Sequence, residues 1–295
     1  MTADVRGDLE AVFEAAGTTG YVHARDVDGE AGIGLRADEL VVTASVFKIA
    51  VLLELCRRTA SGGLDPTERV RVTSEDRGLG PTGLSVTLDD VELSWRDLAY
   101  LMMSVSDNTA TDVIMRCLGR DAIQTTLNDL GLSQTKLEGT CAELLGTFAE
   151  DVGVEPGPKT LLSEIDPEAL ARWRTIDPQR TTRSTPEETT RLLSLIWRDE
   201  AGDAVACAEA RRIMYLQVWP HRLTAGFPDG VRLGAKTGTL PGIRNEAGVA
   251  EYPDGKRYAV AVFTRSQVFA DRRPEVDAAI GKAAYLAVEA LRIRG

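Results

Sequence analysis

Histidine is scarce in this chain of 295 residues: His23 and His221 are the only two. That leaves little room for a Ser-His-Asp triad, and no G-x-S-x-G elbow is present to carry one. The four cysteines, Cys56, Cys117, Cys141 and Cys207, show no C-x-x-C spacing. Neither a zinc site nor a disulfide framework is indicated, so no metal or other cofactor is expected. Basic charge is also short, because 34 Lys and Arg face 45 Asp and Glu for a net charge of −11. Without a basic stripe to meet phosphates, nucleic acid is excluded as a partner, and the acidic surface reads simply as well solvated. Long apolar runs are missing too: "VFKIAVLLEL" is broken by Lys48, so no membrane span is expected. The start, "MTADVRGDLEAVFEAAG", lacks a basic n-region and an apolar h-region, so the sequence as given is expected to be cytoplasmic. The partner these exclusions leave is a small-molecule substrate, with the oligomeric state open.

The composition that remains, 43% hydrophobic and 27% charged, is ordinary for a globular protein with a large core. Residues 3–16 read as a helix with Leu9, Val12, Phe13 and Ala16 on one face. Two strands follow around an Asp28-Gly29 turn, then a helix from Ser45 to about Ala60. Three helical stretches occupy the middle: "SWRDLAYLMM", "SDNTATDVIMRCL" and "RDAIQTTLNDLG". Residues 146–184 are rich in Gly and Pro, with one short helix at "DPEALARW" capped by Asp166. A capping-box spacing from Thr185 to Glu188 restarts a strong helix, and another covers about 205–218. Three late strands and a helix from Pro274 to Ile293 complete the chain. Strands at both ends with helices between imply one α/β (α+β) sheet with an all-helical insertion. The expected division is 1–62 with 200–295 for the sheet domain and 63–199 for the helical domain. An enlarged loop is expected at about 133–185.

Lys48 poses the chemical question, since an ammonium in an apolar helix is costly unless it is paired or has lost its proton. It lies three residues after Ser45, in the pattern S-x-x-K, but "SQTK" at Ser133 to Lys136 matches as well. Two further elements decide between them: "SDN" at Ser106, Asp107 and Asn108, and "KTGT" from Lys236 to Thr239. Only Ser45 precedes both in the order of class A β-lactamases and penicillin-binding proteins. From first helix to last, the chain resembles that serine-hydrolase family. The resemblance implies a five-stranded antiparallel sheet with helices on both faces and a helical insertion. It implies Ser45 as nucleophile, Lys48 as its base, and Ser106 as proton relay to the leaving group, with Lys236 supplying a second positive charge. It assigns Asn108 to a substrate amide and Asp107 to bracing the loop. Backbone N–H groups of Ser45 and Thr239 would form an oxyanion hole, and Thr237 and Arg244 would hold a substrate carboxylate.

One part of the family pattern is missing. The E-x-x-L-N motif, whose glutamate activates the deacylating water, falls on "CAELL", with Cys141 at the glutamate and Leu145 at the asparagine. Glu143 is the candidate replacement carboxylate, with Glu138 and Glu150 as further ones. The chain then runs on to Pro186 before the next strong helix, longer than the family's usual loop. Three activities fit. They are a hydrolase cleaving a lactam, amide or ester through acyl-Ser45; an acyltransferase (a transacylase of natural-product assembly) passing that acyl group to an amine or alcohol; and a silent ligand-binding protein on the same fold. Two lysines beside a nucleophile argue against the last.

Overall fold

The computed structural model describes residues 5–154 and 164–294. Its centre is a five-stranded sheet of β1 (Thr19–Asp26), β2 (Gly32–Leu35), β7 (Arg232–Leu240), β8 (Ile243–Glu251) and β9 (Arg257–Arg265). The order is β2-β1-β9-β8-β7 and every neighbouring pair is antiparallel. Three two-stranded or isolated pieces lie outside it: β3 (Val41–Val42) pairs with β6 (Arg183–Ser184), and β4 (Arg69–Val72) with β5 (Val91–Ser94), while Lys136 bridges Arg183.

Alternation along β9 explains the layering. Tyr258, Val260 and Val262 face α1 (Val5–Ala15) and α11 (Pro274–Arg294), in a core with Leu9, Phe13, Ile280 and Ala284. Ala259, Ala261 and Phe263 face the other way, against a larger core with Leu52, Leu193 and Trp197. That second face is covered by α2 (Lys48–Ala60), α8 (Pro186–Trp197) and α9 (Ala204–Met214). Beyond α2 lie α3 (Trp95–Ser104), α4 (Asn108–Leu118), α5 (Arg120–Asp129), α6 (Cys141–Val152) and α7 (Pro167–Ala171), and a short α10 (Leu223–Gly226) packs on α11. No described helix is long and apolar enough to cross a membrane.

Helix α8 falls within the 63–199 expected for the helical domain but packs on the sheet. It contacts β1, β8 and β9, and its Trp197 indole donates to Glu251 on β8 at 2.7 Å. The helical region therefore ends near Thr185. The cap at Thr185 forms, accepting from Glu188 N at 3.1 Å, but the Glu188 carboxylate turns to Gln134 N and Thr135 Oγ1 instead of closing the box. The described parts of the irregular segment, 146–154 and 164–184, carry more regular structure than expected. A capping box between Thr140 and Glu143 starts α6, and the helical spacing of Leu144, Phe148 and Val152 carries it to a left-handed Gly153. Parts of the loop expectation (155–163) and of the first helix (residues 3 and 4) lie outside the described residues.

His23 sits in β1 between two partners, 8% exposed. The Thr190 hydroxyl donates to Glu187 O, so His23 Nδ1 is the donor of the 2.6 Å bond to Thr190 Oγ1. Burial, aided by Arg25, pulls its pKa down to about 4 from 6.5. Between those values the unfolded chain binds a proton that the folded one rejects, so stability falls as pH drops from 6.5 to about 4. The loss reaches ~3 kcal/mol at full effect. His23→Asn, which keeps a donor toward Thr190, is expected to remove that part of the acid sensitivity. Parallel melting curves for wild type and variant from pH 7 to 4 would refute this.

Candidate active site

The chain enters the site from β3 through a strained turn. Ala44 takes φ 45°, and the 3-10 turn Ala44–Phe47 then leads into α2 at Lys48. With three residues per turn, Ser45 and Lys48 lie on one side of this turn. Ser45 lines a cleft of about 210 Å³ with Asn108, Cys141, Leu145 and Thr239. Its hydroxyl makes no hydrogen bond among the described residues.

Lys48 is fully buried and reaches the SDN element. Its Nζ donates to Ser106 O (2.7 Å), Asn108 Oδ1 (2.8 Å) and, at 3.4 Å each, Ser106 Oγ and Asp107 O. Lys236, fully buried as well, donates to the same Ser106 Oγ at 3.0 Å and to Thr237 O at 2.8 Å. One hydroxyl thus stands between two amines. Ser106 is held there with φ 62°, strain that is common where a side chain is aimed for chemistry. Asp107 braces this loop: its carboxylate caps α4 through Ala110 N and accepts from Leu84 N at 2.6 Å. A Cβ on Gly83 would lie 2.1 Å from that carboxylate, so only glycine fits.

β7 supplies the other wall. A Cβ at Gly238 would come within 2.6 Å of Thr43 O and 3.1 Å of Ser45 N, so glycine lets the strand lie against the nucleophile turn. Thr237 N points off the open edge of β7 to Gln217 Oε1 at 2.7 Å. The two-residue repeat then aims Thr239 N off the same edge, toward Ser45.

A family model described as the β-lactamase enzyme family matches residues 4–291. The chain belongs to that family. Its broad class is accordingly a β-lactamase-like serine hydrolase. The β-lactamase regulatory protein BlaB of Streptomyces cacaoi is 28% identical, over 97% of this chain and 96% of that one. A β-lactamase of Streptomyces albus G is also 28% identical, over 98% and 85%. Among solved structures, a β-lactamase of Sphaerobacter thermophilus superposes with a TM-score of 0.79 at 25% identity, covering 99% and 98%.

Electrostatics bear on which amine can act in this β-lactamase-like cleft. Burial lowers the pKa of Lys48, opposed by the carboxylates of Asp107 and Asp112. The Cys141 thiol, pushed up to about 12 by burial, is neutral at ordinary pH and lends Lys48 no charge. Lys236 is lowered well below the ordinary lysine value, first by burial and then by the charge of Lys48, with Glu246 opposing. Glu246 is itself buried, raised by that burial, and accepts from Leu223 N and from Gln217 Nε2. Two adjacent buried ammoniums disfavour each other, which favours loss of a proton from one of the pair.

Several expected residues have other occupations here. Arg244, the cross-strand partner of Thr239, gives Nη1 to Asp277 (2.8 and 3.0 Å) and Nη2 to Asp271 O, so its guanidinium is already engaged. Arg222, absent from the sequence expectations, is only 3% exposed and donates to Thr239 Oγ1 at 2.8 Å, to Gly238 O and Asn245 O, and to Asp277. Asn245 was missed too; its amide holds Val42 O and Thr43 O, pinning the turn that presents Ser45. Asn108 spends Nδ2 on Leu79 O at 2.8 Å. Lys236 lies mid-strand, with β7 continuing past it to Leu240.

Around the missing motif, Cys141 opens α6 and lines the Ser45 cleft. Asp112 clamps this helix start, accepting from Cys141 N at 2.7 Å and Ala142 N at 2.8 Å. Glu143 closes the capping box by accepting from Thr140 N on the exposed side of the helix. Glu150 pairs with Arg174 and Glu138 with Arg183. None of these three glutamates lines the cleft, as Cys141 does.

Proposed function

We propose that the protein attacks a lactam, amide or ester carbonyl with Ser45 and forms an acyl-enzyme that water releases slowly. The carrying observation is the Ser106 hydroxyl between two buried lysines, 3.4 Å from Lys48 and 3.0 Å from Lys236. In this reading Lys48, as free amine, takes the Ser45 proton while the oxygen bonds to the carbonyl carbon. Ser45 N–H and Thr239 N–H receive the developing oxyanion. As the intermediate collapses, the carbon–nitrogen or carbon–oxygen bond breaks and Ser106 gives its proton to the leaving atom. Lys48, carrying the proton taken from Ser45, returns it to Ser106 and is again a free amine, while Lys236 keeps its proton and holds the Ser106 oxygen. The absence of a Lys48–Ser45 bond at rest does not count against this, since catalytic hydrogen bonds often tighten only around substrate.

A thiol in place of the family's glutamate supports a second reading, transfer of the acyl group to an amine or alcohol instead of water. The Streptomyces cacaoi relative, named a regulatory protein, makes capture of a β-lactam without turnover a third. Intact mass after incubation with a penicillin, with and without added amines, separates the three. Wild type is expected to gain one acyl group and Ser45→Ala none. An equal adduct on Ser45→Ala would remove Ser45 as nucleophile. Shortened adduct life with an amine would select the transferase.

A further inference from the structure

Beyond the Ser45 cleft lies a larger trough of about 760 Å³ that shares Leu79, Gly80, Pro81, Leu145, Thr239 and Leu240 with it. We propose that this trough receives an extended, uncharged, apolar acyl group of the substrate. The proposal rests on acylation at Ser45 and names the substrate class for that site. Its observations are the apolar lining, the continuity with the cleft, and the prior commitment of the cations in its wall.

The far wall is built by Phe148, Trp173, Ile243 and Val268. Phe148 and Trp173 stack edge to face with centroids 5.0 Å apart, and the Trp173 indole N–H is spent on Thr147 Oγ1 at 2.8 Å. Nothing polar on these rings is left for a ligand. Three large side chains of the lining stay substantially in water: Leu79 at 49% exposed, Val86 at 57% and Val268 at 55%. Apolar surface left open beside a nucleophile is what an apolar ligand would cover.

Charge points the same way. The two arginines in the wall are engaged, Arg244 with Asp277 and Arg273 with Glu275, Ser266 Oγ and Ala16 O. The exposed Asp271 at the wall repels an anion. A ligand group carrying a carboxylate gains nothing here.

Direction decides that the group is the acyl part. Ser106, Lys236 and Thr237 line neither cavity, so the trough leaves Ser45 on the Leu145 and Leu240 side, away from the proposed proton donor to the leaving group.

The test uses p-nitrophenyl esters of straight-chain acids from two to ten carbons, below their aggregation concentrations, with acylation of Ser45 followed by mass. Each added methylene is expected to raise kcat/KM about fourfold until the trough is full, from ~0.8 kcal/mol per buried methylene. Val86→Asp combined with Val268→Asp, at two exposed wall positions, is expected to flatten that slope. A second arm measures binding of the matching N-methyl amides to Ser45→Ala by calorimetry. A flat series in both arms, or a slope the double variant leaves intact, overturns the trough. Chain-length-dependent binding that the double variant abolishes, with no acyl mark on Ser45, supports the trough and overturns Ser45.

Discussion

Lys48→Ala is expected to slow acylation of Ser45 by ~10²–10⁴-fold at every pH, the usual effect of removing a general base. Because the change also takes a donor from Ser106 O and Asn108 Oδ1 and a charge from beside Asp107 and Asp112, a melting curve of the variant accompanies the rate measurement. The residual reaction should also change its pH dependence, in a stated direction. Burial is the first cause of the low Lys236 pKa, and the charge of Lys48 is the second. Deleting Lys48 removes the second, so Lys236 holds its proton to higher pH. In wild type the acid limb should lie below the ordinary lysine value of 10.5, because burial lowers Lys48. In the variant the residual limb reports Lys236 without the charge of Lys48 beside it. Rates of adduct formation from pH 5 to 10, read by rapid-quench mass spectrometry, measure both effects. Acylation at the wild-type rate would show that Lys48 is not the base.

The order of three short motifs made the family legible, because each fixes one wall of the cleft. Helix caps were legible for the same local reason: Asp166 caps α7 and Thr185 caps α8 as their spacing implies. Arg222 was not legible. It lies in a loop with no motif, and its value comes from contacts with Gly238, Thr239, Asn245 and Asp277 that only the fold assembles. The engagement of Arg244 was not legible either. It shares a face with its cross-strand partner Thr239, but Asp277 on α11 holds its guanidinium, while Asn245 on the opposite face meets the turn before Ser45. The loop after Leu145 was read as irregular from its Gly and Pro, yet its apolar residues Phe148, Leu170, Trp173 and Ile176 form a small core with Ile243. These residues pack against a distant strand, and distant partners leave little local trace.

The second large effect concerns the fate of acyl-Ser45. Cys141 lines the cleft where the family carries a water-activating glutamate, and its thiol, held up to about 12, is no base at neutral pH. Acyl-Ser45 from a penicillin should therefore outlast its formation by ~10²–10⁴-fold, the range of a missing general base. Cys141→Glu should restore turnover by a similar factor. The site has one feature in its favour and one against. A carboxylate at the first residue of the twelve-residue helix α6 sits well with the helix dipole. But Asp112 already holds both N–H groups of that helix start, and a second carboxylate beside it would be pushed toward its protonated form. Asp112→Asn in the same chain removes that repulsion and keeps an acceptor for Cys141 N or Ala142 N. The expected ranking of adduct lifetimes is wild type longest, Cys141→Glu shorter, and Cys141→Glu with Asp112→Asn shortest. Rapid penicillin turnover by wild type, untouched in Glu138→Ala, Glu143→Ala and Glu150→Ala, would place the deacylating base elsewhere. In that case Asp112, the half-buried carboxylate beside Cys141, is the group to replace first, and loss of turnover in Asp112→Asn alone would identify it.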